Sequence, residues 1–347
     1  MQDLDTARSG RFVGREQTML IPIEDILVAR ERLAPYLPPT PVTSADSYHP
    51  RLRATVMLKL ELFQPTAAFK VRGALNALLC LEPDARRRGV IASSAGNHGL
   101  GIAYAAARLN SPATVVLPSS APARRATLIE WLGATVVVHG EDWNAANSHA
   151  LELAESLGLS YVSPFDDPAI MAGQGTVALE LLDQVPALDA VICSVGGGGL
   201  ISGVASALRA LRPEVRVIGV ETEGADCMAR SLAAGKIVGL ERFTSIATSL
   251  GTRRTQDRPF AIVREAVERV EVVSDREALV ELLRLLDDEK ILVEPAASCT
   301  LAALTAGKVP DLEGAVIAPV MCGANVTLAQ VSAWQQQLLQ QPAPSAD

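Results

Sequence analysis

The chain has 347 residues, 49% of them hydrophobic, with 31 Lys and Arg against 39 Asp and Glu and a formal net charge of −8. That length allows one large or two medium domains, each with a full core. The acidic balance argues against nucleic acid as a partner, because gripping a phosphate backbone needs a concentrated excess of Lys and Arg.

The basic clusters Arg86-Arg87-Arg88, Arg124-Arg125 and Arg253-Arg254 are short and read as solvated surface. Cys80, Cys193, Cys227, Cys299 and Cys322 lie far apart, without a CxxC pair or a His at metal-ligand spacing, so they read as free thiols in a reducing cytoplasm. Met1 to Leu20 mixes Asp3, Asp5, Arg8, Arg11, Arg15 and Glu16 with few apolar residues, unlike the apolar core of a secretory signal. Residues 190–208 carry no charge over about the length of a membrane span. Four glycines in their middle favour a strand, a turn and a helix instead, and no membrane partner is expected.

In chain order, short apolar runs alternate with longer amphipathic stretches, the pattern of βα repetition and a parallel sheet. A helix is expected from Leu75 to Leu81 after Lys70, and Val90-Ile91-Ala92 leads through a Gly-Asn-His-Gly turn into an Ala-rich helix over 102–109. Strands follow at 114–117 and 135–138, with helices at 123–132 and 145–157. Residues 190–194 form a strand that enters the glycine run, 200–211 leave it as a helix, and strands return at 215–220 and 315–321. No fixed-period repeat is visible, and the Gln- and Pro-containing end from Gln335 to Asp347 is expected to be weakly structured.

Three turns carry chemistry. Gly196 to Gly199 sits between a strand and a helix, where converging backbone amides and the positive end of the helix form an anion cradle. A tight turn under a packed helix would give the same run. Ser93-Ser94-Ala95-Gly96-Asn97-His98-Gly99 has the same placement and suits a carboxylate, or a simple capped helix start. Lys70, between Phe69 and Val71, is either a solvated helix start or a partly desolvated amine whose lowered pKa suits Schiff-base chemistry.

In order and company these segments resemble the tryptophan synthase β-like, fold type II pyridoxal-phosphate enzymes, within them the serine/threonine dehydratase and serine racemase group. The resemblance rests on QPTAAFKVRGALNA at 64–77, SSAGNHGLGIAYAA at 93–106, AGQGTVALELL at 172–182, SVGGGGLISG at 194–203, EPAASCTLAAL at 294–304 and CGAN at 322–325. It implies an α/β fold of two domains, each an open, mostly parallel twisted sheet flanked by helices. The large cofactor domain is expected at 12–84 plus 168–335, the small domain at 85–167, and a flexible tail at 336–347.

The resemblance makes Lys70 the Schiff-base lysine of pyridoxal phosphate, Gly196, Gly197, Gly198 and Gly199 with Leu200 its phosphate loop, and Asn97 the partner of its 3-hydroxyl. Phe69, Glu294 and Cys322 complete the cofactor site, Cys322 facing the pyridine nitrogen. Ser94, Ala95, Gly96, Asn97, His98 and Gln174 fall to the amino-acid substrate. The expected reaction is loss of water from an L-β-hydroxy amino acid, giving a 2-keto acid and ammonia. A serine or aspartate racemase, or a dehydratase for hydroxyaspartate or an aryl-serine, is the alternative.

Departures from the family pattern matter too. Ala67-Ala68 replaces the common Gly-Ser, removing a hydroxyl expected near the substrate, and Ala95 stands where racemases carry a serine acid. Glu221 and the Ala225 carbonyl match part of a cation site, whereas Cys227 falls where a carboxylate is expected, leaving a weaker or monovalent site. The resemblance further implies a homodimer. With so little chain after CGAN, no isoleucine-responsive regulatory domain is expected.

Overall fold

The computed structural model describes residues 18–339. Its frame is two parallel sheets. The larger joins β1 (Val42–Ser44), β2 (Thr55–Lys59), β7 (Ala190–Ser194), β8 (Arg216–Thr222), β9 (Arg269–Val273) and β10 (Val316–Pro319) in the order β1-β2-β10-β7-β8-β9. Only β1 runs antiparallel, against β2. The smaller sheet is all parallel, with β3 (Val90–Ser93), β4 (Ala113–Leu117), β5 (Thr135–Val138) and β6 (Ser160–Tyr161) in the order β5-β4-β3-β6. β3 and β7 are buried along their whole length, as strands covered by helices on both faces must be, which is why they read as unbroken apolar runs.

Every strand expected from the sequence forms, with ends shifted by a residue or two. β1, β2, β6 and β9 were not expected. β6 is two residues long, and Arg269-Val270-Glu271-Val272-Val273 alternates polar and apolar as an edge strand does. The weakly structured end also needs correcting: residues 335–339 complete a helix, Leu328–Leu339, anchored by the buried Val331. Residues 340–347, and the start of the chain through residue 17, lie outside the described residues.

Local signals set the helix starts. Asp142 caps Trp143–Leu157 by accepting from the Ala145 amide (3.0 Å), and Asp167 caps Pro168–Gln184 by accepting from the Ala169 and Ile170 amides. Small residues then let the helices approach closely. A Cβ on Gly203 would lie 2.1 Å from the Met171 carbonyl oxygen, so the helices Pro168–Gln184 and Gly199–Leu211 meet backbone to backbone.

A buried ion network fixes the first turn of the helix Lys70–Cys80. Arg72, 2% exposed, donates from Nε to Glu61 (2.7 Å) and from Nη1 to Glu180 (2.6 Å), and Lys59 at the end of β2 donates to Glu180 (2.6 Å). Charges this deep are tolerable only when every one is paired. Among the described residues no helix is long and apolar enough to cross a membrane.

Candidate active site

Ligands of parallel α/β sheets gather beyond the carboxyl ends of the strands, and here four such ends or their following turns converge. Beyond β7 lie Gly196 to Gly199, beyond β10 lies Cys322, and beyond β3 lies the Ser94 to His98 turn. The fourth piece is the loop before Lys70. Its Ala67 amide turns back to the Gln64 carbonyl (2.8 Å), its Phe69 amide donates to the Cys322 carbonyl (3.0 Å), and the Ala324 amide donates to the Ala67 carbonyl (2.9 Å). Asn325 adds a bond from Nδ2 to the Thr66 carbonyl (2.8 Å). The tether loop is thus sewn to a segment about 250 residues later in the chain.

Ala67 and Ala68 do not lie in the cleft wall, contrary to expectation. Ala67 has φ of 53°, the left-handed region that glycine adopts without strain. Ala68 is fully buried, paired across an antiparallel bridge with Gly323.

A recess of about 430 Å³ is lined by Phe69, Lys70, Asn97, Ser194, Gly196 to Gly199, Leu200, Glu294 and Cys322, together with Phe165, Ser249 and Leu250. It opens into a cleft of about 880 Å³ whose wall includes Lys70, the whole turn from Ser93 to His98, Trp143 and the loop Thr248 to Thr252. Sequence reasoning missed that loop, although its Thr-Ser-Leu-Gly-Thr make-up is the same small, hydroxyl-bearing signal as the 93–99 turn. Phe165 and Trp143 carried no such signal.

The glycine run is a cradle because nothing else fits it. Cβ atoms would lie 2.3 Å from the Phe165 ring at Gly197 and 2.9 Å from the Phe165 Cα at Gly199, and Gly198 has φ of +98°. No side chain caps the helix that starts there, so its first amides face the recess uncapped.

At the junction of recess and cleft, Lys70 Nζ donates to the Pro164 carbonyl (2.7 Å). Burial lowers its pKa from 10.5 to about 8, against the opposing pull of Cys322 and Glu294. Asn97, 5% exposed, donates to Glu294 (2.8 Å) and accepts from Asn325 (2.8 Å), which leaves one amide hydrogen for a ligand. Burial raises the Glu294 pKa, with hydrogen bonds from Asn97 and Ser249 opposing, and holds the Cys322 thiol well above its usual range. His98 is bonded through Nε2 to the Val162 carbonyl (3.1 Å), so Nδ1 is a bare acceptor, buried and without a partner. Burial and the nearby Lys70 push its pKa down to about 3.

Comparison with known proteins decides the family. The family model for pyridoxal-phosphate dependent enzymes matches residues 33–323. The chain belongs to this family. It is 37% identical to the L-threonine ammonia-lyase of Geobacter sulfurreducens over 90% of this chain and 78% of that one. Identity is 39% to the phenylserine dehydratase of Ralstonia pickettii, over 90% of this chain and 96% of that one. Among solved structures it superposes on maize serine racemase with a TM-score of 0.86 at 34% identity, covering 91% and 96% of the two chains.

The recess fits the family's cofactor: an amine of lowered pKa, an uncapped glycine cradle for a phosphate, and a neutral thiol in the wall. One residue expected at the substrate stands elsewhere. Gln174 is no part of the cleft wall; its Oε1 accepts from the Gly73 amide (3.2 Å), trapped where small residues bring the helices Lys70–Cys80 and Pro168–Gln184 together. Glu221 has both carboxylate oxygens engaged by the amides of Met228 (3.0 Å) and Ala229 (2.7 Å). It caps a helix start, and no group of three or more metal-ligating side chains occurs among the described residues.

Proposed function

We propose that this enzyme removes water from an L-β-hydroxy amino acid of the threonine and serine type, releasing a 2-keto acid and ammonia. The observation that carries the reading is the position of Lys70, an amine of lowered pKa in the wall of both the cradle recess and the carboxylate-type turn. The dehydratases and ammonia-lyases among its relatives support it.

Gly196 to Gly199, with Leu200 in the first turn of the helix, would hold the phosphate, Asn97 would offer its remaining amide hydrogen to the cofactor's hydroxyl, and Phe69 and Glu294 close the recess. When bound, pyridoxal phosphate supplies the sink for the electron pair left when the α-proton departs. Lys70 first tethers the cofactor through Nζ. The same nitrogen, as a free amine, would take the α-proton, and the Pro164 carbonyl is placed to accept from the resulting ammonium.

Ser94, Ala95, Gly96, Asn97 and His98 hold the substrate carboxylate, chiefly through backbone amides. Because His98 bears its proton on Nε2, it is not the acid that sends the hydroxyl out as water. Cys322 stays a thiol, a neutral group that would not hold a pyridine nitrogen protonated and would so favour prompt loss of a β-leaving group. Ala95 offers no hydroxyl to reprotonate the opposite face, which disfavours racemisation. The same reading places the protein in the cytoplasm as a homodimer, with a large domain at 12–84 and 168–335 around the cradle and a small one at 85–167 around the carboxylate turn.

Lys70→Ala tests the assignment. The variant is expected to fold, to lose the visible absorbance of the lysine-bound cofactor, and to release no keto acid from threonine or serine. Retention of that absorbance refutes the role of Lys70, and D-serine appearing from L-serine faster than pyruvate refutes the elimination reading.

A further inference from the structure

Beyond the carboxylate turn, the cleft has a wall with no partner in the chemistry described so far. Trp143, first residue of the helix Trp143–Leu157, donates from its indole Nε1 to the carbonyl of Ser93 (3.0 Å), the last residue of β3. That bond ties a half-buried flat ring to the backbone at the first residue of the turn. Pro118, Pro164, Phe165, Leu250 and the methyl of Ala95 line the same cleft. Three of these side chains are proline or phenylalanine, which present rigid, flat apolar faces.

The cleft is also poor in charge. Of the side chains lining it, only Lys70 and His98 are titratable. Lys70 is committed to the reacting carbon, and His98 is a neutral acceptor bonded to Val162. A substrate with a second carboxylate finds no other cation in this wall, since Arg125 lies in the adjoining pocket beyond Ala95 to Asn97 and donates to the Asn325 carbonyl (2.6 Å). One with a side-chain ammonium finds no acid, since Glu294 lies in that pocket and in the recess, bonded to Asn97. Burying either without a partner is costly. The methyl group of threonine covers little of the surface that Trp143 and its neighbours offer.

Resting on the elimination reading, we propose that the preferred substrate carries a planar apolar group on its β-carbon, an aryl-serine, and that Trp143 is the residue that selects it by stacking. With 3-phenylserine the bonds broken are Cα–H and Cβ–O. Water leaves, one water returns in hydrolysis of the carbon–nitrogen bond, and the products are phenylpyruvate and ammonia, with no external oxidant or reductant.

The test is kcat/KM of the holoenzyme for 3-phenylserine, threonine and 3-hydroxyaspartate, read as keto acid released. Phenylserine is expected to exceed threonine by about tenfold or more, the range over which apolar pockets discriminate. Trp143→Ala is expected to lower the phenylserine-to-threonine ratio by about tenfold, and Trp143→Phe to restore most of it, with bound-cofactor absorbance confirming that each variant is folded. Threonine or hydroxyaspartate as the best substrate overturns the proposal, as does a Trp143→Ala loss equal for phenylserine and threonine. If none of the three releases keto acid while the cofactor is bound, the elimination reading itself fails, and the proposal with it.

Discussion

Raising the pH of the cofactor-free enzyme from 6 to 10 isolates the property on which the site depends, the proton affinity of Lys70. A pKa lowered from 10.5 to about 8 makes roughly one Lys70 in ten a free amine at pH 7, against about one in three thousand for a solvated lysine. The free-amine fraction at neutral pH is then raised on the order of 300-fold, by burial rather than by a neighbouring cation. The assay is a short pulse of reductive methylation across the pH range, with the Lys70 peptide quantified by mass spectrometry beside a model lysine peptide in the same tube. Labelling of Lys70 is expected to level off just above pH 8 while the model peptide continues to rise. Glu294 and Cys322 oppose the shift, so Glu294→Gln removes an attraction for the proton and moves the midpoint lower. Labelling of Lys70 that climbs in parallel with the model peptide to pH 10, or a midpoint that rises in Glu294→Gln, would refute the desolvation argument.

Two further perturbations probe the frame. Gly198→Ala places a side chain at φ of +98° with its Cβ 2.8 Å from the Pro259 Cβ. Strain and overlap together cost about 2–4 kcal/mol, measured by urea unfolding of the cofactor-free protein, and phosphate affinity falls with the cradle's shape; unchanged stability contradicts the geometry. Glu221 is a proton acceptor on folding: burial raises its pKa from 4.5 to about 8, with the Ala229 and Met228 amides opposing. The folded state therefore binds more protons than the unfolded one between those values, and stability is expected to fall as pH rises through that window by a few kcal/mol. Glu221→Gln flattens this dependence, and a stability that rises over the same range excludes it.

How far the sequence disclosed all this depended on whether a residue's neighbours lie nearby in the chain. Residues 90–93 and 190–194 are apolar throughout because both faces of their sheets are covered, so β3 and β7 announce themselves. The cradle was legible because a clash with Phe165 and a positive φ leave glycine as the residue that fits, and such constraint shows as composition. Gln174 was misplaced because a glutamine flanked by glycines suits a polar cleft and a close helix crossing equally well. The crossing prevails through the Gly73 amide, 101 residues away in sequence. The same distance hid Phe165, Trp143 and Arg125, the last reaching the Asn325 carbonyl (2.6 Å) across 200 positions.

The tether loop shows why this long-range knowledge matters for function. Nothing between Gln64 and Phe69 can by itself hold Lys70 at the cradle, since Ala67 sits in a conformation that costs about 1 kcal/mol for a non-glycine residue. The bonds from Ala324 to Ala67, from Phe69 to Cys322 and from Asn325 to Thr66 impose that conformation from outside. Asn325 also donates to Asn97, so one side chain joins the loop before the lysine to the start of the helix behind the carboxylate turn. The CGAN segment is therefore as much a positioning device as a source of the Cys322 thiol. The distance from lysine to cradle is set where β10 ends, not where Lys70 stands in the chain.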